Sequence, residues 1–254
     1  MRWHFVTTPA GSGDFNMAFD EALMRRAASG MAVFRVYGWS SPTLSLGRNQ
    51  RARGLYNLAA AGAMGVGIVR RPTGGRALLH HREITYSAAL PARDAAEARA
   101  AYDFINGVLV VGLRSLGVEV GLATGTSAVP PGPRPCFDVP GEREIVHGGR
   151  KLVGSAQWRR GGALLQHGSI LVGDDQPLIA RLMLTPDEAN PVASTLSEAL
   201  GREPSATEVS RALRAALCAA TGDALHAFEP DDVLLSEVDR LSHGYRDDHW
   251  TWRR

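Results

Sequence analysis

The sequence predicts an α+β fold: a mixed, largely antiparallel sheet with helices packed on it. Three observations lead there. A long helical pattern over residues 94–116 separates two blocks of strands. Residues 143–172 read as an antiparallel meander with glycine turns at Gly148-Gly149 and Gly161-Gly162. Strands and helices do not alternate in the regular order that builds a doubly wound parallel sheet. The 254 residues allow one large domain or two small ones, and a single domain spanning 1–254, with a helical C-terminal part from about 175, is the expectation.

The elements follow in order. Residues 14–29 place Phe19, Leu23 and Ala27 on one stripe, and Gly30 is a natural stop. Strands at Ala32–Trp39 and Thr43–Gly47 flank a turn at Ser40-Ser41-Pro42, and Gly67–Arg71 forms the next. In the strand after it, Ile84, Tyr86 and Ala88 alternate. The central helix starts from Asp94, carries Ala98, Tyr102, Ile105, Leu109, Leu113 and Leu116 at helical spacing, and ends at Gly117. Four prolines between Ala128 and Pro135 exclude helix and central strand and predict a stiff loop. After the meander, Ser205-Ala206-Thr207-Glu208 is a capping box for a helix with Val209, Leu213, Ala216, Leu217 and Ala220 on one face. A last helix covers 230–242.

With 44% apolar and 21% charged residues, the composition is that of a soluble globule. No run approaches the roughly 18 apolar residues of a membrane span, and the first residues lack an export signal. Cys136 and Cys218 make no disulfide framework, so a reduced cytoplasm is the simplest location. A net charge of +2 gives no argument for nucleic acid and is compatible with acidic protein partners.

Lys151 is the one lysine against 27 arginines. Guanidinium is a planar, permanently charged fork, whereas ammonium is a compact donor on a flexible stem. Its setting, from Gly148 to Gln157, is mostly glycine and small residues just beyond a hairpin turn. That suits a point charge meeting a substrate carbonyl or phosphate. A second candidate is Arg70-Arg71-Pro72-Thr73-Gly74-Gly75-Arg76, running on to His80. Paired glycines let a ligand approach the main chain, whose N–H groups can hold an anion or oxyanion. It is neither a Walker loop nor a G-x-G-x-x-G turn. A third is Cys136, whose thiol becomes a nucleophile if a cation such as Lys151 lowers its pKa. Cys218 lies opposite its helix's apolar stripe, beside Arg211 and Arg214, and reads as an incidental, partly exposed thiol. His167, in Gln166-His167-Gly168-Ser169-Ile170, suits either a general base or a structural role. His80, His81, Cys136 and His167 have ligand chemistry without zinc-site spacing, so no metal is expected.

Together these motifs resemble the lipoate–protein ligase A and octanoyltransferase family, which shares the biotin/lipoyl ligase catalytic domain. The matching residues are Tyr37-Gly38-Trp39 with Thr43 to Gly47, Arg70 to His80, Cys136-Phe137-Asp138, Gly149 to Gln157, and Leu165 to Ile170. The likeness runs nearly to Trp250, and its order and spacing are more specific than any one motif. Cys-Phe-Asp looks like the branch that forms an acyl-cysteine. The resemblance then implies transfer of octanoyl from octanoyl-acyl carrier protein to a lysine of a lipoyl domain, as in glycine cleavage H protein or a dehydrogenase E2. This is a step of lipoate biosynthesis and protein lipoylation. Cys136 and Lys151 would be catalytic. Arg71, Thr73, Gly74, Gly75, His80, Gly154, Ser155, Ala156, Gln157, His167 and Gly168 would meet substrate, with either of His80 and His81 able to face it.

No cofactor is expected on that reading. ATP and magnesium belong to the alternative, a lipoate–protein ligase acting through lipoyl-adenylate. A lipoyl amidotransferase would use similar groups. A silent acyl-binding module has no need of the thiol.

Overall fold

The computed structural model describes residues 1–124, 143–185, 193–222 and 224–254. In chain order the strands are β1 (Arg2–Thr7), β2 (Met31–Tyr37), β3 (Thr43–Leu46), β4 (Gly67–Arg70), β5 (Leu78–His80), β6 (Glu83–Pro91), β7 (Gly121–Leu122), β8 (Ile145–His147), β9 (Arg150–Arg160), β10 (Ala163–Leu171) and β11 (His226–Ala227). The helices are α1 (Gly13–Ala27), α2 (Leu58–Ala63), α3 (Ala95–Ser115), α4 (Ile179–Leu182), α5 (Leu196–Leu200), α6 (Ala206–Thr221), α7 (Asp232–Arg246) and α8 (Asp248–Thr251).

An eight-stranded sheet runs β11-β1-β2-β6-β10-β9-β8-β7, and a second sheet runs β4-β3-β5. Its central ladders, β2 with β6, β6 with β10 and β10 with β9, are antiparallel. The parallel β1–β2 pair needs a crossover, which α1 supplies. The meander turns because Gly148-Gly149 and Gly161-Gly162 all take positive φ, between 55° and 78°. Two consecutive positive-φ residues make the tight turn whose twist matches a two-residue hairpin. Register follows: His147 faces Arg150, and Arg160 faces Ala163.

The helices begin at polar caps. Asp94 accepts from the Glu97 N–H at 2.8 Å, Ser205 from Glu208 at 3.1 Å, and Asp231 from Leu234 at 2.8 Å. Gly222, in the left-handed region, ends α6. One face of the large sheet packs Ile84, Tyr86 and Leu90 against α3 and α6 through Ile105, Leu109 and Leu213. The other packs Val33, Ala89 and Leu165 against α1 and α7 through Phe19, Leu23 and Val238. The small sheet has its own core, with Leu44, Leu46, Leu79, Ile179 and Leu182.

The sequence reading contained neither β1, β11 nor the short helices α2, α4, α5 and α8. Strands β11 and helices of four to six residues are too brief to show a period. Beyond residue 175 the regular elements of the described chain are helices, apart from β11.

Candidate functional site

The site forms where the large sheet meets the loop joining β4 to β5. Middle strands β6 and β10 are buried on both faces, yet carry a cluster of polar side chains on the face toward α1. Ser87 opposes His167, and Thr85 opposes Ser169. Strand alternation puts all four on the α1 side, opposite Tyr86 and Gln166.

Asp20 of α1 anchors this face. Its carboxylate accepts from Arg35 Nη1 at 2.9 Å, Tyr37 Oη at 2.8 Å, Ser87 Oγ at 2.7 Å and His167 Nδ1 at 3.1 Å. Asp20 and Arg35 are both fully buried, and the guanidinium lies 4.4 Å from the Phe19 ring centre and 3.8 Å from that of Tyr37. Burial works to raise the Asp20 pKa, but the His167 bond, the Arg35 charge and the Ser87 hydroxyl together hold it below the usual carboxylate range. Burial lowers the pKa of His167, outweighing the Asp20 contribution. Asp20 is therefore the acceptor, neutral His167 donates from Nδ1, and its Nε2 accepts from Thr73 Oγ1 at 2.7 Å.

A second chain starts from the small sheet. His80 Nδ1 donates to Glu83 at 2.8 Å, while His80 Nε2 meets Ser45 Oγ at 2.8 Å. Ser45 Oγ also accepts from Arg71 Nη1 at 3.1 Å, which leaves its own proton for His80. Trp39 stacks on His80 with ring centres 3.8 Å apart, and its indole N–H donates to Thr85 at 2.8 Å. Of the adjacent histidines, His80 is buried at the site, whereas His81 is turned out to Asp175.

Both chains end on one loop. Arg71 donates to the Gly74 carbonyl at 3.1 and 2.9 Å and to the Arg76 carbonyl at 2.7 Å, so the loop wraps its guanidinium. Thr73 ties the same loop to His167. Close approach dictates glycine at two nearby positions. A Cβ on Gly47 would lie 1.9 Å from the Gly75 oxygen, and one on Gly168 would lie 2.5 Å from the Gly154 oxygen.

Around this loop opens a small, partly enclosed pocket. Arg71, Gly75, His80, Gly154, Ser155, Ala156, His167 and Gly168 line it. So do Met17, Tyr37, Trp39, Leu78, Thr85 and Ser169, which the sequence reading did not select as substrate-binding. Thr73 and Gly74 are not among the lining residues, and Thr73 is buried against His167. Gln157 is not among the lining residues, and its amide donates to Gln166 at 2.9 Å and to the Ala98 carbonyl on the α3 side. One step of strand alternation from Ala156 turns it to the other face. Ser155, also on that side, bonds Tyr86 Oη at 2.7 Å.

Lys151 is 3% exposed, and its ammonium meets Glu144 at 2.8 Å. Cys136 and its neighbours Phe137 and Asp138 lie outside the described residues. Cys218 is exposed. Among the described residues, no group of three His, Cys, Asp or Glu is disposed to hold a metal ion, and no helix is long and apolar enough to cross a membrane.

The missed residues had a signal. Arg35 interrupts the apolar run Met31–Tyr37, and a charged residue inside a buried strand calls for a buried counter-ion. What the sequence did not say is that the partner would be Asp20.

The family profile for the lipoyl protein ligase A/B catalytic domain matches residues 12–218. Over 99% of both chains, the protein is 38% identical to an octanoyltransferase LipM of Kyrpidia tusciae. The octanoyltransferase LipM of Bacillus subtilis is 33% identical, over 99% of this chain and 98% of its own. Among solved structures, a lipoate-protein ligase A bound with ATP superposes with a TM-score of 0.80 at 21% identity, covering 99% of this chain and 98% of that one. A bi-partite lipoate protein ligase of Thermoplasma acidophilum, from a study of it and its E2 lipoyl domain, gives 0.79 at 22%, covering 99% and 95%. At such identities the structural likeness speaks for the fold, which is that of the lipoate-protein ligases.

Proposed function

Because the chain belongs to the lipoyl protein ligase A/B catalytic domain family, we propose that it transfers an octanoyl group from octanoyl-acyl carrier protein to a lysine of a lipoyl domain, as an acyltransferase working through Cys136. The observation that carries this reading is the full-length likeness, at 38% identity, to a protein named as an octanoyltransferase. The cavity supports it. Met17, Tyr37, Trp39 and Leu78 offer apolar surface for an alkyl chain, beside a glycine loop held rigid from two sides.

In the first half-reaction the Cys136 thiolate attacks the thioester carbonyl. The new C–S bond forms, the carrier C–S bond breaks, and the carrier leaves as a thiol after taking a proton. In the second, the amine of the acceptor lysine attacks the enzyme thioester. An amide forms, the amine loses a proton, and the Cys136 thiolate is restored. Lys151 would stabilise that thiolate and donate to the acyl oxygen as it becomes an oxyanion. Main-chain N–H groups near Gly74–Gly75 and Gly154–Ser155 would complete the oxyanion site. A buried ammonium already oriented by Glu144 needs little reorganisation for this task. His167 and His80, engaged at both ring nitrogens, hold the loop and do not move substrate protons.

Intact-mass measurement tests the reading. Incubated with octanoyl-acyl carrier protein and no ATP, the protein should gain one octanoyl group, labile to hydroxylamine and missing in Cys136→Ser. Absence of that adduct, with transfer appearing only from free octanoate and ATP, would move the protein to the ligase chemistry.

A further inference from the structure

Beside the cavity gather three arginines, Arg48, Arg70 and Arg253, that make no ion pair among the described residues. Arg48 follows Gly47 directly, and its main-chain N–H donates to the Thr73 carbonyl at 2.8 Å, so it stands against the glycine loop. Its guanidinium lies 5.1 Å from the Trp158 ring centre and 5.5 Å from that of Trp250. Trp158 is two residues beyond the lining residue Ala156 on β9, and so on the same face. Arg253 sits 4.3 Å over Trp250 and donates to the Arg48 carbonyl. Beneath them Arg70 is fully buried, spending its Nε and Nη1 on the carbonyls of Thr251, Gly47 and Gln50.

Among the described residues, Arg48, Arg70 and Arg253 make no ion pair, although ten other arginines do. Arg70 Nη2 and Arg253 Nε are buried without a hydrogen-bond partner among the described residues. Burial, and then the charges of Arg253, Arg71 and Arg254, push the Arg70 guanidinium down to about 10. Burial, Arg48 and Arg254 act on Arg253 in the same direction. The cations therefore repel one another on a shelf of two indoles. Exposed Arg51, Arg53 and Arg254 extend the positive surface outward.

We propose that the Arg48–Arg253 shelf, backed by Trp158 and Trp250, is the docking surface for the acidic face of the acyl carrier protein, placing its acyl chain at the mouth of the cavity. The proposal rests on the donor assigned under Proposed function. Charge decides the occupant. A second copy would bring the same arginines and be repelled, whereas a carrier offering its chain on a phosphate-linked arm brings acidic side chains and a phosphate. Guanidinium forks match both groups in geometry. The indoles hold the cations forward by contact with their ring faces. A charged surface of this kind acts mainly on encounter and orientation, so its loss should appear in carrier affinity and salt dependence.

The test compares the wild type with R48Q/R253Q and with the charge-keeping R48K/R253K. Calorimetry with unacylated holo-acyl carrier protein reads docking apart from chemistry, and steady-state transfer is measured from octanoyl-acyl carrier protein and from octanoyl-N-acetylcysteamine, a thioester with no protein attached. In R48Q/R253Q, carrier affinity should fall about tenfold or more. KM for the carrier-borne donor should rise to match, kcat and use of the small thioester should hold, and the lysine variant, which keeps the charge but not the fork, should recover only part of the loss. Failure of the wild type to bind the carrier would overturn the proposal, as would unchanged binding in the glutamine variant. Equal loss with the small thioester would show that the arginines only support the loop. A loss of lipoyl-domain binding in place of carrier binding would assign the shelf to the acceptor. Carrier binding that depends on the arginines, without any octanoyl transfer, would keep the shelf and sink the transferase reading alone.

Discussion

His167 belongs to the large sheet and His80 to the small one, and each joins a carboxylate to a hydroxyl on its way to the same glycine loop. They differ in how charge is handled. Asp20, behind His167, has the Arg35 guanidinium at 2.9 Å and hydrogen bonds from residues of β2, β6 and β10. Glu83, behind His80, has only Thr85, Ser169 and His80 on one oxygen. Its other oxygen is buried without a partner among the described residues. A compensated carboxylate fixes α1 to three strands of the large sheet, while the Glu83 cluster joins β5 of the small sheet to β6 and β10 without a helix or a counter-cation. The first relay holds the fold and the loop together; the second sets chiefly the loop and the aromatic wall at Trp39.

The largest effect that comparison predicts is Arg35→Met. It strips the counter-charge from a fully buried Asp20, and breaking a buried pair from one side typically costs about 3–5 kcal/mol. Chemical denaturation should show a loss of that size, and D20N/R35M should recover much of it because the stranded charge is gone. If Arg35→Met is nearly neutral and Glu83→Gln is the damaging change, the two relays have been assigned the wrong way round.

This asymmetry also marks how far the sequence could be read. Helix stripes, capping residues and the paired glycines were legible because each is set by neighbours within a few positions, as at Ser205-Ala206-Thr207-Glu208 and Gly161-Gly162. The loop from Arg71 to His80, with Gly154, Ala156 and His167, was legible as a constellation by family resemblance. The polar bed beneath it was not. Asp20, Arg35, Ser45 and Glu83 come from α1, β2, β3 and β6, and no spacing in the chain says which buried charges will meet. The Trp158–Arg48–Trp250 shelf brings together residues 48, 158 and 250 and left no local trace at all.

An intermediate effect concerns pH. His167 has its folded pKa below the ordinary 6.5, so the unfolded chain takes up a proton there first. Stability contributed by neutral His167 is fully present above about 6.5 and falls as the pH drops from there toward the folded value. Asp20, also lowered, adds a second loss only below its ordinary value near 3.8, as the pH falls through the folded pKa. Denaturation midpoints between pH 7 and 5 should therefore decline in the wild type, and more gently in His167→Gln, which has no proton to gain at that position. An identical slope in both would mean that His167 has the same pKa folded and unfolded, and a gentler decline in the wild type than in His167→Gln would mean that His167 is protonated in the fold and that its bond to Thr73 runs the other way.

The smallest effect separates the adjacent histidines. His81 is 43% exposed and pairs with Asp175, which Arg82 also holds at 2.9 Å. Exposed ion pairs contribute about 0–1 kcal/mol, and Arg82 remains to satisfy the carboxylate. His81→Ala should therefore change stability by less than about 1 kcal/mol and leave octanoyl transfer at the wild-type rate. His80→Ala removes the ring under Trp39 and the acceptor of the Ser45 proton, so Arg71 and the loop it wraps lose their support. Transfer rates of the two variants, measured side by side with thermal stability, make the distinction. Loss of rate in His81→Ala with full rate in His80→Ala would break the idea that this relay positions the loop. The reverse pattern, with the His80 variant losing more rate than stability, would place its role in the loop geometry and leave the fold to Asp20 and Arg35.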